Sequence, residues 1–281
     1  MVSEYIIPKN TNVKNYLILR HISNKVINQL FSNYAITDEN RVLKPLDTFD
    51  FDKKIYVNYS LIESNDDQKG NDKLDISNDI IYETTELIAI DKKNDILIHS
   101  DGNTDNTILN SIVRYLKQKG DDSYIRCLHR LDVKTSGICL FAKNIVSYQE
   151  ISYQLESQEV YKRYIALAKG HLHGKQTVNI KIGKNRHESN VYIVSKTGKD
   201  TTSIVTPVKY VNNNTIVSVE IKTGRTHQIR VTLSYMGHPI IGDKLYDRRA
   251  KGNRLELISK EMRFILDGKE ITLESKQEVR V

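Results

Sequence analysis

The sequence has little of what marks disulfide-stabilised, zinc-binding or membrane-spanning proteins. Its 281 residues contain two cysteines, Cys127 and Cys139, which are too few for a disulfide framework. Their spacing does not match a Cys-x-x-Cys pair or another set of zinc ligands. We interpret both as small, buried side chains in a reducing compartment.

Long apolar segments are also absent. The N-terminal residues Met1–Tyr5 lack the apolar run of a signal peptide, and no later stretch approaches the length of a membrane-spanning helix. We therefore expect a soluble, cytoplasmic protein that has no membrane partner.

The charge is distributed unevenly along the chain. Residues 1–79 contain 10 basic and 12 acidic residues, whereas residues 80–281 contain 32 basic and 23 acidic residues. The first part therefore has a balance of −2 and the second a balance of +9. A basic excess confined to one part of the chain favours a polyanionic partner there.

The chain divides at a polar segment. Residues 62–79 are rich in Asn and Asp, have no sustained periodicity and are predicted to be a linker. Residues 1–61 before it show two helical patterns, the second capped by Ser23, and a strand pattern at residues 55–59. We predict a small α+β module at 1–61 and a main domain at 80–281.

The main domain mixes strand and helix patterns without regular βαβ alternation. Strand patterns lie at residues 80–82, 87–90, 163–168 and 215–222, and helical patterns lie at 107–119, 146–157 and 226–236. This order is typical of an α+β fold with a mainly antiparallel sheet.

A first dense polar motif, His129–Gly137, precedes the apolar run 138–142. A polar loop at the end of a buried strand is a common way to present a reactive group, and Asp132 is the candidate carboxylate. Two other interpretations are open. The first is a metal site at His129 and Asp132, which is disfavoured because the third ligand that catalytic zinc requires is not nearby. The second is a purely structural turn before the strand, formed by Asp132 and Thr135.

A second motif, Tyr161–Tyr164, combines basic and aromatic residues on a predicted strand. Strand alternation places Lys162 and Tyr164 on one face and Tyr161 and Arg163 on the other. A lysine beside a tyrosine would suit a phosphate and a stacked base. An ordinary half-buried strand is the alternative.

A third motif, residues 223–230, leads from a strand into a helix. We expect Gly224 to allow a tight turn and Thr223 or Thr226 to cap the helix. The helix N-terminus with Arg225 would bind an anion, whereas Arg230 would instead point inward to a carboxylate. A solvated basic helix start is the alternative, and a glycine- and proline-containing segment at 237–246 follows.

Together these motifs resemble the RluA family of pseudouridine synthases. The sequences HRLDVKTSG, KRY, TGRTHQIR and GHPIIGDKLY occur in the family's order, and the resemblance covers residues 80–265. It implies an α+β core of the pseudouridine synthase type, with a mixed, mainly antiparallel sheet and flanking helices. It also implies isomerisation of uridine to pseudouridine in rRNA or tRNA by a monomer, without a cofactor, a metal or a DNA partner.

The resemblance carries residue roles with it. Asp132 matches the catalytic aspartate, Tyr164 the tyrosine that stacks on the target base, and Arg230 the arginine that pairs with the aspartate. The residues expected to contact the substrate are Arg130, which would help to displace the target nucleotide, Lys162 in a supporting role, and His129, Arg225 and His227. An arginine beside Asp132 would keep the carboxylate ionised and oriented.

The sequence also departs from the family pattern. Thr232 and Ile258 stand where histidines are frequent, and the segments 91–93 and 99–100 differ from the usual Asn-Lys-Pro and His-Pro. The N-terminal module resembles the αL type of RNA-binding module, although its charge is unfavourable for phosphates. An RNA-binding or ribosome-assembly factor with weak or no activity is the alternative function. A phosphate-binding hydrolase using the helix start at Thr226 is a third.

Overall fold

The structure is a computed structural model that describes residues 2–63, 68, 70, 74–250, 252 and 254–281. Residues 64–67, 69 and 71–73 of the predicted linker lie outside these ranges. The division into 1–61, 62–79 and 80–281 stays a prediction.

The N-terminal part is a small α+β unit. Its elements are β1 (Val2–Ile7), α1 (Val13–Leu19), α2 (Asn24–Ser32), β2 (Ile36–Thr37) and β3 (Lys53–Asn58). The strands form an antiparallel sheet in the order β1-β3-β2. The Ser23 side chain accepts a hydrogen bond from the Val26 amide, which confirms the predicted cap of α2.

A large sheet with three helices follows. Its elements are β4 (Ile80–Glu83), β5 (Leu87–Lys92), α3 (Ile108–Gln118), β6 (Arg126–Cys127), β7 (Ser136–Ala142), α4 (Ile145–Glu156), β8 (Tyr161–Lys169), β9 (Gln176–Lys184), β10 (Tyr192–Val194), β11 (Lys199–Val211), β12 (Asn214–Ile221), α5 (Gln228–Tyr235), β13 (Leu257–Leu266) and β14 (Lys269–Glu274). Short 3₁₀ turns lie at Tyr59–Leu61 and Ser77–Asp79.

The large sheet is mixed and mainly antiparallel, as the sequence predicts. Its strands run in the order β10-β9-β11-β12-β8-β13-β7-β5-β4, with β14 paired to β13 and β6 to β7. Among the described strands, the pair β13–β7 is the parallel one and the other pairs are antiparallel. The fold class is therefore α+β.

Strand β7 lies between two apolar cores. Cys139 and Phe141 face a core shared with α3 and α5, whereas Ile138 and Leu140 face a second core near α4. Gly137, the second residue of this strand, has a φ of 101°, and a Cβ at this position would collide with the backbone of Ser259 on β13. Glycine therefore permits the close parallel pairing directly behind the first motif.

The small unit packs on α4 of the larger one. Val146 of α4 belongs to the N-terminal core, and Arg20 donates a hydrogen bond of 2.9 Å to the buried Glu150 of the same helix. The Tyr16 hydroxyl also reaches Asp267 at 3.0 Å. These contacts join the two units by apolar packing and by paired charges.

Candidate active site

One cleft gathers the three polar motifs. It has a volume of about 1240 Å³ and lies beside β8 and β12 and the start of α5. All eight residues predicted to act at the site line this cleft: His129, Arg130, Asp132, Lys162, Tyr164, Arg225, His227 and Arg230. The structure therefore brings together residues that are up to about a hundred positions apart in sequence, and their chemical roles stay predictions.

Asp132 lies in the loop that leads into β7. Its carbonyl oxygen accepts a hydrogen bond of 3.0 Å from the Thr135 amide, which closes a turn. The next residue, Val133, accepts a bond of 2.8 Å from the buried Lys92 ammonium, which also donates to the carbonyls of Lys93 and Ile96. The loop that carries Asp132 is thus tied to the end of β5 by Lys92, the one residue of the segment 91–93 that matches the usual Asn-Lys-Pro, and the sequence predicted no role for it.

The Asp132 carboxylate has two polar partners, both at long distance. Nη1 of Arg230 lies 3.4 Å and Nε2 of His227 lies 3.6 Å from its Oδ2 atom. The side chain is 25% exposed to the cleft. Hydrogen bonds in unliganded sites are often long and tighten when the substrate binds. The carboxylate is therefore oriented but still accessible.

Arg230 has a closer partner, Asp243. Nε and Nη2 of Arg230 donate to the two carboxylate oxygens of Asp243, each at 2.8 Å, in a bidentate pair. Burial disfavours the charged guanidinium, but the hydrogen bonds and charge of Asp243, with the charge of Asp132, raise the pKa of Arg230 above its ordinary value. The sequence predicts a carboxylate partner for Arg230 but does not indicate Asp243 as a second one.

His227 is held by Tyr246. The Tyr246 hydroxyl lies 2.8 Å from Nδ1 of His227, and its oxygen also accepts a bond of 3.0 Å from the Tyr192 amide. Because Nε2 faces the Asp132 carboxylate, which only accepts, we assign the ring proton to Nε2, so that Tyr246 donates to Nδ1. Burial and the nearby Arg230 charge lower the pKa of His227, although Asp132 opposes the shift. The imidazole is therefore a neutral donor at neutral pH.

The Tyr164 ring forms part of the cleft wall. It lies on β8, on the same buried face as Lys162, which confirms the alternation predicted from the sequence. Burial, with a smaller contribution from the Asp132 charge, raises the pKa of Tyr164 to about 12. Its hydroxyl is therefore protonated at neutral pH.

His129 binds the protein backbone. Its Nε2 atom accepts a hydrogen bond of 3.2 Å from the Leu140 amide on β7, and its carbonyl accepts one from the Cys127 thiol at 2.8 Å. Burial, with the Lys162 charge, lowers the pKa of His129 to about 4. The ring is neutral, so it offers no charge to a phosphate. Cys127 is partly buried, Cys139 is buried, and both thiols are free.

The start of α5 differs from the prediction. The helix begins at Gln228, and its N-cap is His227 in the left-handed conformation with a φ of 57°. The expected capping by Thr223 or Thr226 is wrong, because the Thr223 hydroxyl and the Arg225 amide both donate to the Gln228 side-chain oxygen. The hydrogen-bond donors of the turn are thus satisfied by Gln228, the first residue of the helix.

The remaining cations differ in their exposure. Arg130 and Arg225 are exposed at the cleft, whereas Lys162 is buried in its wall. Thr232 and Ile258, the two departures from family histidines, are fully buried in the packing. In the described ranges, no three His, Cys, Asp or Glu side chains are grouped so as to hold a metal ion.

The family described as RNA pseudouridylate synthase matches residues 86–235, which include all three motifs. The chain belongs to the RNA pseudouridylate synthase family. This result confirms the resemblance seen in the sequence.

Individual relatives agree with the family. The chain is 32% identical over 194 residues to the ribosomal large subunit pseudouridine synthase D of Salmonella typhimurium, covering 68% of this chain and 60% of the relative. It is 36% identical over 181 residues to the uncharacterized RNA pseudouridine synthase YhcT of Bacillus subtilis, covering 62% of this chain and 59% of the relative. The chain thus spans about three fifths of the length of these relatives.

A solved structure confirms the fold. Human RNA pseudouridylate synthase domain containing 1 superposes with a TM-score of 0.62 at 23% identity, covering 70% of this chain and 82% of that one. The α+β core of the pseudouridine synthase type is therefore confirmed. Within the residues that the structure describes, none of the helices has both the length and the apolarity needed to cross a bilayer.

Proposed function

We propose that this protein isomerises uridine to pseudouridine in RNA. The observation that carries the proposal is the Asp132 carboxylate, which shares one cleft with Arg230, His227 and the Tyr164 ring. This combination supplies an oriented anion, its charge partner and an aromatic face for a base. All of these residues lie within the region that matches the family.

The reaction needs an ionised carboxylate. The bond between uracil N1 and ribose C1′ breaks, the base rotates, C5 bonds to C1′, and the C5 proton is replaced by one on N1. Asp132 would add to C6, attack C1′ or remove the 2′ proton of the ribose, and each of these steps uses the ionised form. Arg230 and the Nε2–H group of His227 keep that form oriented.

The cleft suits a nucleotide that has left its stack. Its volume of about 1240 Å³ exceeds the usual range for a single small ligand, which favours a polymeric substrate. Tyr164 would stack on the displaced uracil, and the exposed Arg130 at the cleft would help to hold the strand open.

We propose that the substrate is a structured ribosomal or transfer RNA. The basic balance of residues 80–281 favours a polyanion, and the Salmonella relative is named for the large ribosomal subunit. We further propose a cytoplasmic monomer without DNA or membrane partners, in which residues 1–61 form a second RNA-contacting module.

Substitution of Asp132 tests the proposal. Pseudouridines would be mapped in total RNA from cells that carry the wild-type gene, no gene, or the Asp132→Asn variant. We expect specific sites to be lost without the gene and not restored by the variant, while purified Asp132→Asn protein still binds RNA. Full conversion by the variant would contradict the assigned role. Unchanged RNA in the deletion strain would favour the alternative, an assembly factor without turnover.

A further inference from the structure

Lys162 differs from the other buried cations. Five lysines and arginines are buried among the described residues: Arg20, Lys92, Lys143, Lys162 and Arg230. Three of them contact carboxylates, and Lys92 donates to three backbone carbonyls. Within the described ranges, Lys162 has no hydrogen bond and no ion pair, although its exposed fraction is 7%.

The Lys162 ammonium faces the cleft. The residue lines the cleft wall, and a Cβ built on Gly224 would lie 3.9 Å from its Nζ atom. Since Gly224 has no side chain, the space between the ammonium and the turn stays open. Burial lowers the pKa of Lys162, and no described acceptor offsets this effect.

Strand β8 sets the distance between Lys162 and the Tyr164 ring. Lys162 and Tyr164 are two residues apart on one face of β8, which separates them by about 6.6 Å along the strand. A group held at Lys162 would thus lie beside a base stacked on Tyr164, not on it. Arg225, which follows Gly224, adds a second, exposed cation at this end of the cleft.

The Lys162 side chain is largely buried, but its ammonium opens to the cleft and has no partner among the described residues, so its cleft side is available to a ligand. We propose that Lys162 and the turn at residues 223–226 form a subsite for a backbone phosphate next to the displaced nucleotide. The inference rests on the proposed function. A phosphate suits the site better than a base carbonyl, because an anion compensates the charge of a largely buried ammonium more fully than a neutral oxygen, and the exposed Arg225 follows Gly224 in the same turn.

The salt dependence of binding distinguishes these ligands. The affinity for a short single-stranded oligouridylate would be measured at several salt concentrations for wild type, Lys162→Met, Lys162→Arg and the control Lys269→Met, whose lysine is exposed outside the cleft. For Lys162→Met we expect binding that is about ten- to hundred-fold weaker. We also expect the slope of log K against log salt to decrease by about 0.7 in magnitude, as for one lost phosphate contact. Lys162→Arg should retain the slope.

Thermal denaturation provides a second measurement. If the lysine is kept for its ligand, Lys162→Met removes an uncompensated buried charge and raises the melting temperature of the free protein. Weaker binding with an unchanged salt slope would overturn the phosphate assignment in favour of a neutral base contact. Unchanged binding, or a lower melting temperature in Lys162→Met, would also overturn it.

Pseudouridine mapping on the same proteins separates this inference from the proposed function. If the wild-type protein forms pseudouridine but Lys162→Met has the same slope of log K against log salt, the phosphate subsite alone is overturned. If Lys162→Met reduces that slope but the wild-type protein forms no pseudouridine, the subsite is supported and the proposed function is contradicted.

Discussion

The buried pair of Arg230 and Asp243 is expected to hold the site together, and Asp243→Asn tests this directly. The Asp243 side chain is fully buried, and its two oxygens accept the two bonds of 2.8 Å from Arg230. Asparagine preserves the shape and one acceptor but removes the charge. Arg230 would then keep Asp132, at 3.4 Å, as its carboxylate partner among the described residues.

The expected loss of stability follows from this geometry. Removal of one member of a buried ion pair typically costs about 3–5 kcal/mol, and the retained acceptor places Asp243→Asn near the lower end, at about 3 kcal/mol. That is a large part of the roughly 5–15 kcal/mol of a folded domain. For a chain of this size it corresponds to a fall in melting temperature of roughly 6–12 °C.

Urea denaturation at neutral pH, followed by far-UV circular dichroism, would measure the effect. The matched control is Asp247→Asn in the same loop, because Asp247 pairs with the half-exposed Lys169 at 2.8 Å. We expect a change of about 1 kcal/mol or less there. The double variant Arg230→Met/Asp243→Asn should lose less than the sum of the single variants, since neither charge is left unpaired. Asp243→Asn within about 0.5 kcal/mol of wild type, or strict additivity, would refute the reasoning.

Three further predictions concern the cleft. Tyr246→Phe removes the donor to Nδ1 of His227 and should slow single-turnover pseudouridine formation about ten-fold, with a stability loss of about 1 kcal/mol; an unchanged rate would exclude this hydroxyl from orienting His227. Tyr164→Phe retains the ring, so a normal rate in the same assay would assign Tyr164 to stacking alone, and a slower rate would assign a role to the hydroxyl. The folded-state pKa of His129, about 4, lies below the unfolded value of about 6.5, so the unfolded state binds the proton first and stability falls as pH decreases through this window. Denaturation at pH 7 and pH 4.5 should therefore show up to about 3 kcal/mol less acid destabilisation in His129→Asn than in wild type, and equal losses would contradict a neutral, buried ring.

Local patterns predicted the three helices α3, α4 and α5 and the strands β4, β5, β8 and β12, and the apolar run 138–142 corresponds to β7, whereas β6, β9, β10, β11, β13 and β14 were not predicted. The helix predicted at 107–119 is α3, Ile108–Gln118, because its apolar stripe and the Thr107 cap are both encoded within one short segment. The strand predicted at 215–222 is β12, Asn214–Ile221, whose inward positions alternate with period two. In both segments, the residues that determine the helix or the strand lie within the segment itself.

The start of α5 could not be predicted from local patterns. Gln228 closes the turn by accepting from Thr223 and Arg225, but its own amide group donates to Thr202 and Ser203 on β11. The position of the helix start therefore depends on a strand more than twenty residues away. No periodicity or capping rule applied to residues 223–230 contains that contact.

Long-range contacts also explain why the sequence did not indicate the partners of Arg230 and His227. Asp243 and Tyr246 lie in the segment 237–246, which the sequence marked as a loop without indicating where its side chains point. Their contacts with Arg230 and His227 exist because the loop returns across α5. The signal available in advance was the presence of an aspartate and a tyrosine in the motif GHPIIGDKLY, which became interpretable once Arg230 had a position.

The charges in the cleft form two groups, one around Asp132 and one made of the cations that line the cleft. The cluster around Arg230 contains two carboxylates, the buried Asp243 and the partly exposed Asp132, while His227 is neutral. Because Asp243 takes both short bonds, one negative charge remains, and it resides on the carboxylate that is exposed to the cleft. A nucleophile or base needs such an incompletely compensated anion, whereas a second tight partner for Asp132 would lower its reactivity. The cations Arg130, Lys162 and Arg225 line the cleft without an ion pair to Asp132 among the described residues, so under the proposed function we expect RNA-backbone binding and the reactivity of Asp132 to be altered by separate substitutions.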